Sequence, residues 1–212
     1  MKVKICGLKT LAEARAALDA GADLLGFNFY PPSPRYIAPP ACAELVNALR
    51  QSSCPASLVG VFVNAAAGEM LAILDECGLD LAQLSGDEPP DVLAALHGKA
   101  YKALRPQGLL ALAADLARYT ASTSRPAWLV DAYHPTAYGG TGHQADWSLA
   151  RQLAEETPIL LAGGLTPENV ADAVRQVRPW GVDVASGVES APGVKDPSRI
   201  RAFIQAAREA DH

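Results

Sequence analysis

The hydrophobic positions of this chain fall into two alternating patterns. Short apolar runs, many of them β-branched, recur between longer alanine-rich runs with one apolar face. The first pattern predicts strands over 3–6, 24–29, 58–63, 79–84, 100–104, 127–131, 158–162 and 182–186. The second predicts helices near 11–20, 40–50, 68–77, 90–97, 108–119, 147–156, 167–176 and 197–208. Two helix starts carry a mechanism of their own. Thr166-Pro167-Glu168 offers an N-cap followed by proline at the first helical position, and Asp196-Pro197 does the same.

Eight strand–helix units in 212 residues average about 26 residues each, near the compact end for a (β/α)8 TIM barrel. Strand–helix alternation implies parallel pairing, and eight parallel strands close without leaving an edge. The competing architecture is an open doubly wound sheet. It expects a G-x-G-x-x-G after the first strand, whereas glycine-rich turns here follow strands six, seven and eight. No linker or low-complexity stretch interrupts the pattern. The expectation is an α/β fold with residues 1–212 as a single barrel domain.

Composition narrows the partners. Half the residues are hydrophobic, 19% are charged and the formal net charge is −5. That is the balance of a soluble globular chain with no general attraction for nucleic acid or anionic membranes. An anionic substrate would have to be attracted locally. The four cysteines, Cys6, Cys42, Cys54 and Cys77, form no C-x-x-C pair, and no histidine stands at zinc-like spacing. Neither a metal nor a disulfide framework is expected, and the cysteine usage, with no membrane-length apolar run, fits the cytoplasm. Oligomeric state is open between monomer and homodimer.

In a barrel of this kind chemistry belongs at the C-terminal ends of the strands. Cys6 ends the first strand, on the same face as Lys4. It reads either as an inert buried thiol or as a base whose pKa a neighbouring ammonium lowers. If that face points inward, Lys4 needs a partner, and Asp183 on the adjoining eighth strand is the expected one. The alternative places both charges in solvent at the lower rim. Asp131 ends the sixth strand, either as a desolvated acid facing the pocket or as a cap for the following loop. Glycines after strands six to eight (Gly139, Gly140 and Gly142; Gly163 and Gly164; Gly187 beside Ser186) predict main-chain amides that approach a phosphate. Arg35, in the proline-rich segment Pro31-Pro32-Ser33-Pro34-Arg35-Tyr36, suits bidentate capture of a carboxylate, unless it is simply a surface arginine. His97, His134 and His143 read as solvated or structural.

Taken with their surrounding words, these residues resemble the phosphoribosylanthranilate isomerase family. The matching segments include Lys4-Ile5-Cys6-Gly7-Leu8, Ser33-Pro34-Arg35-Tyr36, Val59-Gly60-Val61-Phe62-Val63-Asn64, Gly86-Asp87-Glu88, Gly139-Gly140-Thr141-Gly142, Leu161-Ala162-Gly163-Gly164-Leu165, Gly187-Val188-Glu189 and Gly193-Val194-Lys195-Asp196. They run in order through nearly the whole chain. The resemblance implies a cofactor-free Amadori rearrangement of a phosphorylated aminosugar in tryptophan biosynthesis. Cys6 then matches the family's base, Asp131 its acid and Arg35 the arginine at the anthranilate end. Three positions depart from the pattern: Ser85 stands where the family usually has histidine, Ala145 where it commonly has phenylalanine, and Asn28 is more polar than usual. The rivals are a histidine-pathway isomerase, typically longer and with an aspartate base, and a non-catalytic barrel that senses a phosphorylated metabolite.

Overall fold

The computed structural model describes residues 1–52, 54–132 and 145–211. Eight parallel strands close into a barrel in chain order: β1 (Lys2–Cys6), β2 (Leu24–Asn28), β3 (Ser57–Phe62), β4 (Leu81–Leu84), β5 (Ala100–Leu104), β6 (Trp128–Val130), β7 (Ile159–Leu161) and β8 (Gly181–Val184). β1 closes the ring against β8, with Lys4 opposite Asp183. Outside lie α1 (Leu11–Asp19), α2 (Pro39–Gln51), α3 (Ala67–Cys77), α4 (Pro90–Ala94), α5 (Leu109–Arg118), α6 (Trp147–Glu156), α7 (Val170–Val177) and α8 (Pro197–Glu209). The expected (β/α)8 order is the observed one.

Both faces of every strand are covered, which is why the strands read as nearly continuous apolar runs. Residues of one parity point into the barrel, where Leu24, Val59, Tyr101, Leu129 and Leu160 form an inner cluster. Residues of the other parity, Val3, Ile5, Leu25, Leu58 and Val182 among them, pack beneath the helices in a larger outer core. The helices are anchored by local chemistry. Thr10 and Glu13 make a reciprocal capping box at α1, Asp146 and Asp196 cap α6 and α8, and Gly78 ends α3 in the left-handed conformation.

The structure corrects several boundaries. Residue 79 does not open a strand, because its N–H closes the end of α3 on Leu74; β4 begins two residues later. Helix α4 stops at Ala94 rather than at 97, since His97 and Gly98 both take positive φ and the last bonds tighten to i→i+3. Tyr119 leaves α5 in an extended conformation, and its hydroxyl donates to the Glu88 carbonyl. The Thr166 hydroxyl accepts from the Glu168 N–H as its cap role expects, yet regular helix α7 starts only at Val170, after Asn169 has tied the turn to Thr166 and Gly164. One element has no counterpart in the apolar pattern. A small antiparallel hairpin, β9 (Glu189–Ala191) and β10 (Val194–Lys195), sits between β8 and α8. Its five strand residues are too few and too polar to show a period of two. Among the described residues no helix is long and apolar enough to cross a membrane.

Because the Thr10 cap satisfies an otherwise orphaned N–H of α1, Thr10→Ala should cost about 1 kcal/mol, lowering Tm by about 2–4 °C for a chain of this size. Thermal unfolding followed by far-UV circular dichroism checks this, and an unchanged Tm would remove the cap from the fold's stability.

Candidate active site

With all strands parallel, their C-terminal ends share one rim. Cys6 is the last residue of β1, and Asp131 directly follows the last residue of β6. Cys6 has the inward parity of Lys4, and Asp131 that of Leu129. Both expected site residues therefore sit at the same end of the barrel, two strands apart on one side and four on the other.

Beneath the rim lies a buried polar layer. The Lys4 Nζ donates to Asp183 Oδ1 at 3.0 Å and to Gln83 Oε1 at 2.8 Å. The Tyr101 hydroxyl also donates to Gln83 Oε1, and the Gln83 amide donates to the Ser85 hydroxyl, each at 3.0 Å. Lys4 is fully buried and Asp183 almost so. The expected Lys4–Asp183 pair is thus a direct contact inside the barrel, and the lower-rim alternative is excluded. Burial disfavours the ammonium, but Asp183, by its charge and hydrogen bond, together with Cys6 and Tyr101 outweighs it and raises the Lys4 pKa above the usual lysine value.

That layer sets the electrostatics of the two rim residues. Burial pushes the Cys6 thiol above its ordinary pKa, while Lys4 from below and Lys195 from the hairpin pull the other way. Burial likewise raises the Asp131 carboxyl to about 6, against the opposing hydrogen bond from the Ala132 N–H. The free site therefore favours a neutral thiol, and its carboxyl titrates near the lower edge of the neutral range.

Arg35 is not a free surface arginine. It is 8% exposed, and its Nε and Nη2 grip the Glu189 carboxylate at 2.8 Å each. The same carboxylate accepts from Lys195 Nζ at 2.7 Å, and Lys195 also donates to the Ala185 carbonyl at the end of β8. Burial lowers the Lys195 pKa and the Glu189 charge opposes this; for Glu189, burial is outweighed by the Arg35 and Lys195 contacts, so its pKa falls. With two cations on one carboxylate, the cluster is ionic. The stem of Arg35 lies across Gly7, where any Cβ would come within 2.6 Å of Arg35 Cδ. Gly7, the residue that follows Cys6, thus lets the Arg35 stem pass directly over the end of β1.

The predicted phosphate loops divide. Gly140 and Gly142 lie outside the described residues. Gly163 and Gly164 follow β7, both with positive φ, and a Cβ on Gly163 would collide with the Ala132 amide nitrogen at 2.7 Å. Ser186 and Gly187 form a single 3-10 turn after β8. A Cβ at Gly187 would overlap the Leu165 carbonyl oxygen, so the loops after β7 and β8 touch through bare backbone. These main-chain segments lie at the same rim as Cys6.

Of the three departures, Ser85 is buried and accepts from Gln83, extending the polar layer without supplying an imidazole. Ala145 packs 3.0 Å from the position of a Cβ on Gly163. Asn28 folds back on its own loop, accepting from the Tyr30 N–H and donating to Ser33. The site also contains residues the sequence reading did not assign: Gln83, Tyr101, Glu189 and Lys195. The inward parity of Gln83 and Tyr101 was available as a signal. Nothing local marked Lys195, since its placement depends on the hairpin.

Comparison with known proteins gives one consistent result. A family model described as N-(5'phosphoribosyl)anthranilate (PRA) isomerase matches residues 3–206. The N-(5'-phosphoribosyl)anthranilate isomerase of Geotalea daltonii is 46% identical over 98% of this chain and 97% of its own. The crystal structure of phosphoribosyl anthranilate isomerase from Thermotoga maritima superposes with a TM-score of 0.86 at 34% identity, covering 99% of each chain. A phosphoribosyl anthranilate isomerase solved in complex with reduced 1-(o-carboxyphenylamino)-1-deoxyribulose 5-phosphate gives 0.83 at 33%, again over 99% of each.

The raised Asp131 pKa has a stability consequence with a definite sign. The folded state holds this proton more tightly than the unfolded chain, so the group's contribution is complete below about pH 4 and is lost as pH rises through about 6. Asn keeps the acceptor for the Ala132 N–H and cannot ionise. Asp131→Asn should therefore be more stable than wild type at pH 7.5, on the order of 2 kcal/mol, with the gap closing towards pH 4. Urea unfolding at both pH values measures it; a gap independent of pH would mean the carboxyl is not perturbed.

Proposed function

Because the chain belongs to the N-(5'-phosphoribosyl)anthranilate isomerase family, we propose that this barrel, as one catalytic domain, converts N-(5-phosphoribosyl)anthranilate to 1-(2-carboxyphenylamino)-1-deoxyribulose 5-phosphate, with Asp131 as acid and Cys6 as base. The step belongs to tryptophan biosynthesis. The observation that carries the assignment of roles is the arrangement of a partly buried carboxyl with a raised pKa and a thiol flanked by two ammonium groups, inward-facing at one rim.

The chemistry accounts for both residue types. The Asp131 carboxyl protonates the furanose ring oxygen, and the C1′–O bond breaks as the nitrogen lone pair forms a protonated imine. That cation acidifies the C2′ proton, which the Cys6 thiolate removes to leave an enolamine, and tautomerisation gives the ketone. The substrate's own nitrogen is the electron sink. In the free protein burial favours the neutral thiol. Once the imine cation forms beside it, a third positive charge joins those of Lys4 and Lys195 and favours loss of the thiol proton to solvent, giving the thiolate at the step that needs it. Arg35 faces the anthranilate carboxylate. The amides around Gly163, Gly164, Ser186 and Gly187, with Gly140 and Gly142, take the phosphate.

Turnover of phosphoribosylanthranilate, followed by the loss of its fluorescence, tests the reading. Cys6→Ser and Asp131→Asn should each lower kcat by about 10²–10⁴-fold, the usual scale of a lost acid or base. Near-normal turnover of either variant would remove that residue from the mechanism, and no turnover by wild type would reject the activity.

A further inference from the structure

The Glu189 carboxylate occupies an unusual position for a group beside an anionic substrate. It comes from the short hairpin after β8 and reaches Arg35 from the loop after β2. Three N–H contacts converge on it at 2.7–2.8 Å, two from Arg35 and one from Lys195. We propose that Glu189 is the positioning residue for the carboxylate end of the substrate, holding the Arg35 guanidinium so that one edge is spent on the protein and the other is presented to the ligand.

The geometry follows from the donor count. A guanidinium has five N–H groups, and Glu189 engages Nε and one hydrogen of Nη2. One hydrogen of Nη1 and the second of Nη2 form the end edge, which is itself a fork for a carboxylate, while the other Nη1 hydrogen points back along the stem. Four side-chain torsions would otherwise leave the Arg35 head unfixed. Here its stem is pressed on Gly7 and its head is pinned by Glu189.

A carboxylate beside the binding site also repels an incoming one, so the two effects must be weighed. Lys195 already neutralises Glu189, at 2.7 Å and inside the protein, so Arg35, Glu189 and Lys195 together carry one net positive charge. The repulsion felt by the ligand is therefore small. Removing the carboxylate would instead leave two buried cations repelling each other, with the arginine the freer of the two to swing away. Orientation outweighs repulsion. The hairpin is held for this purpose at its far side as well: the Lys195 N–H donates to Glu13, and a Cβ on Gly193 would overlap the Pro34 carbonyl oxygen next to Arg35.

This inference rests on Arg35 receiving the substrate carboxylate, as proposed above, and the test separates the two. The probes are reduced 1-(o-carboxyphenylamino)-1-deoxyribulose 5-phosphate and its counterpart lacking the carboxyl group, titrated into the full chain by calorimetry. In Glu189→Gln one of the three contacts on residue 189 meets an amide N–H instead of an oxygen. The carboxylated ligand should bind about tenfold more weakly, while Kd for the decarboxylated ligand stays within about twofold. The second ligand doubles as a control for an intact site. Glu189→Asp keeps the charge but cannot span both cations, and it should show the same split if the glutamine variant fails to fold. Equal weakening of both ligands, no change, or tighter binding of the carboxylated one would each overturn the proposal. If wild type binds the two ligands equally, the role of Arg35 fails first.

Discussion

The contact between Lys4 and Asp183 is the constraint around which the site is arranged. An ammonium in the centre of a barrel is tolerated only when its hydrogens are met by acceptors, and two come from β8 and β4. Meeting them fixes the register of β1 against β8, since a one-residue slip would turn Lys4 into the apolar outer core. The same register sets the direction of Cys6. A buried pair of this kind adds little net stability over apolar packing. Its contribution here is to place a positive charge one layer below a thiol.

Above that layer, approach of bare backbone replaces side-chain packing. Gly7 lets the Arg35 stem cross the end of β1, and at Gly26 a Cβ would lie 2.8 Å from the Cys6 sulfur. Gly163 and Gly187 bring the loops after β6, β7 and β8 against each other. Each is a position where even a methyl side chain would collide with a neighbouring atom. The rim is thus built by omission, and the charged groups that remain are held by one another.

Two neighbouring electrostatic systems result. In one, Lys4 and Asp183 with Gln83 and Tyr101 form a hydrogen-bonded layer in which the lysine stays charged. In the other, Cys6 is buried and Asp131 partly buried without full compensation, so desolvation raises both pKa values. In the first, the surrounding groups keep Lys4 charged; in the second, desolvation favours the neutral thiol and the neutral carboxyl. The hairpin cluster of Arg35, Glu189 and Lys195 adds to the second, contributing Lys195 to the field at Cys6.

Much of this was legible along the chain. Short continuous apolar runs and period-3.6 patterns located all eight units because each strand is covered on both faces and each helix on one. Parity alone paired Lys4 with Cys6 and, with ring closure, Lys4 with Asp183. What the chain could not show was which carboxylate answers Arg35. The arginine's fork suggests a clamp for a ligand carboxylate, whereas the partner it meets within the protein, Glu189, lies 154 residues away in an element too short to have a pattern. Lys195 was hidden for the same reason. Local sequence determines periodicity, caps and the places where only glycine fits, because those depend on neighbours a few residues apart. Partners that meet across the barrel were decided by tertiary structure, because closure of the ring sets those distances.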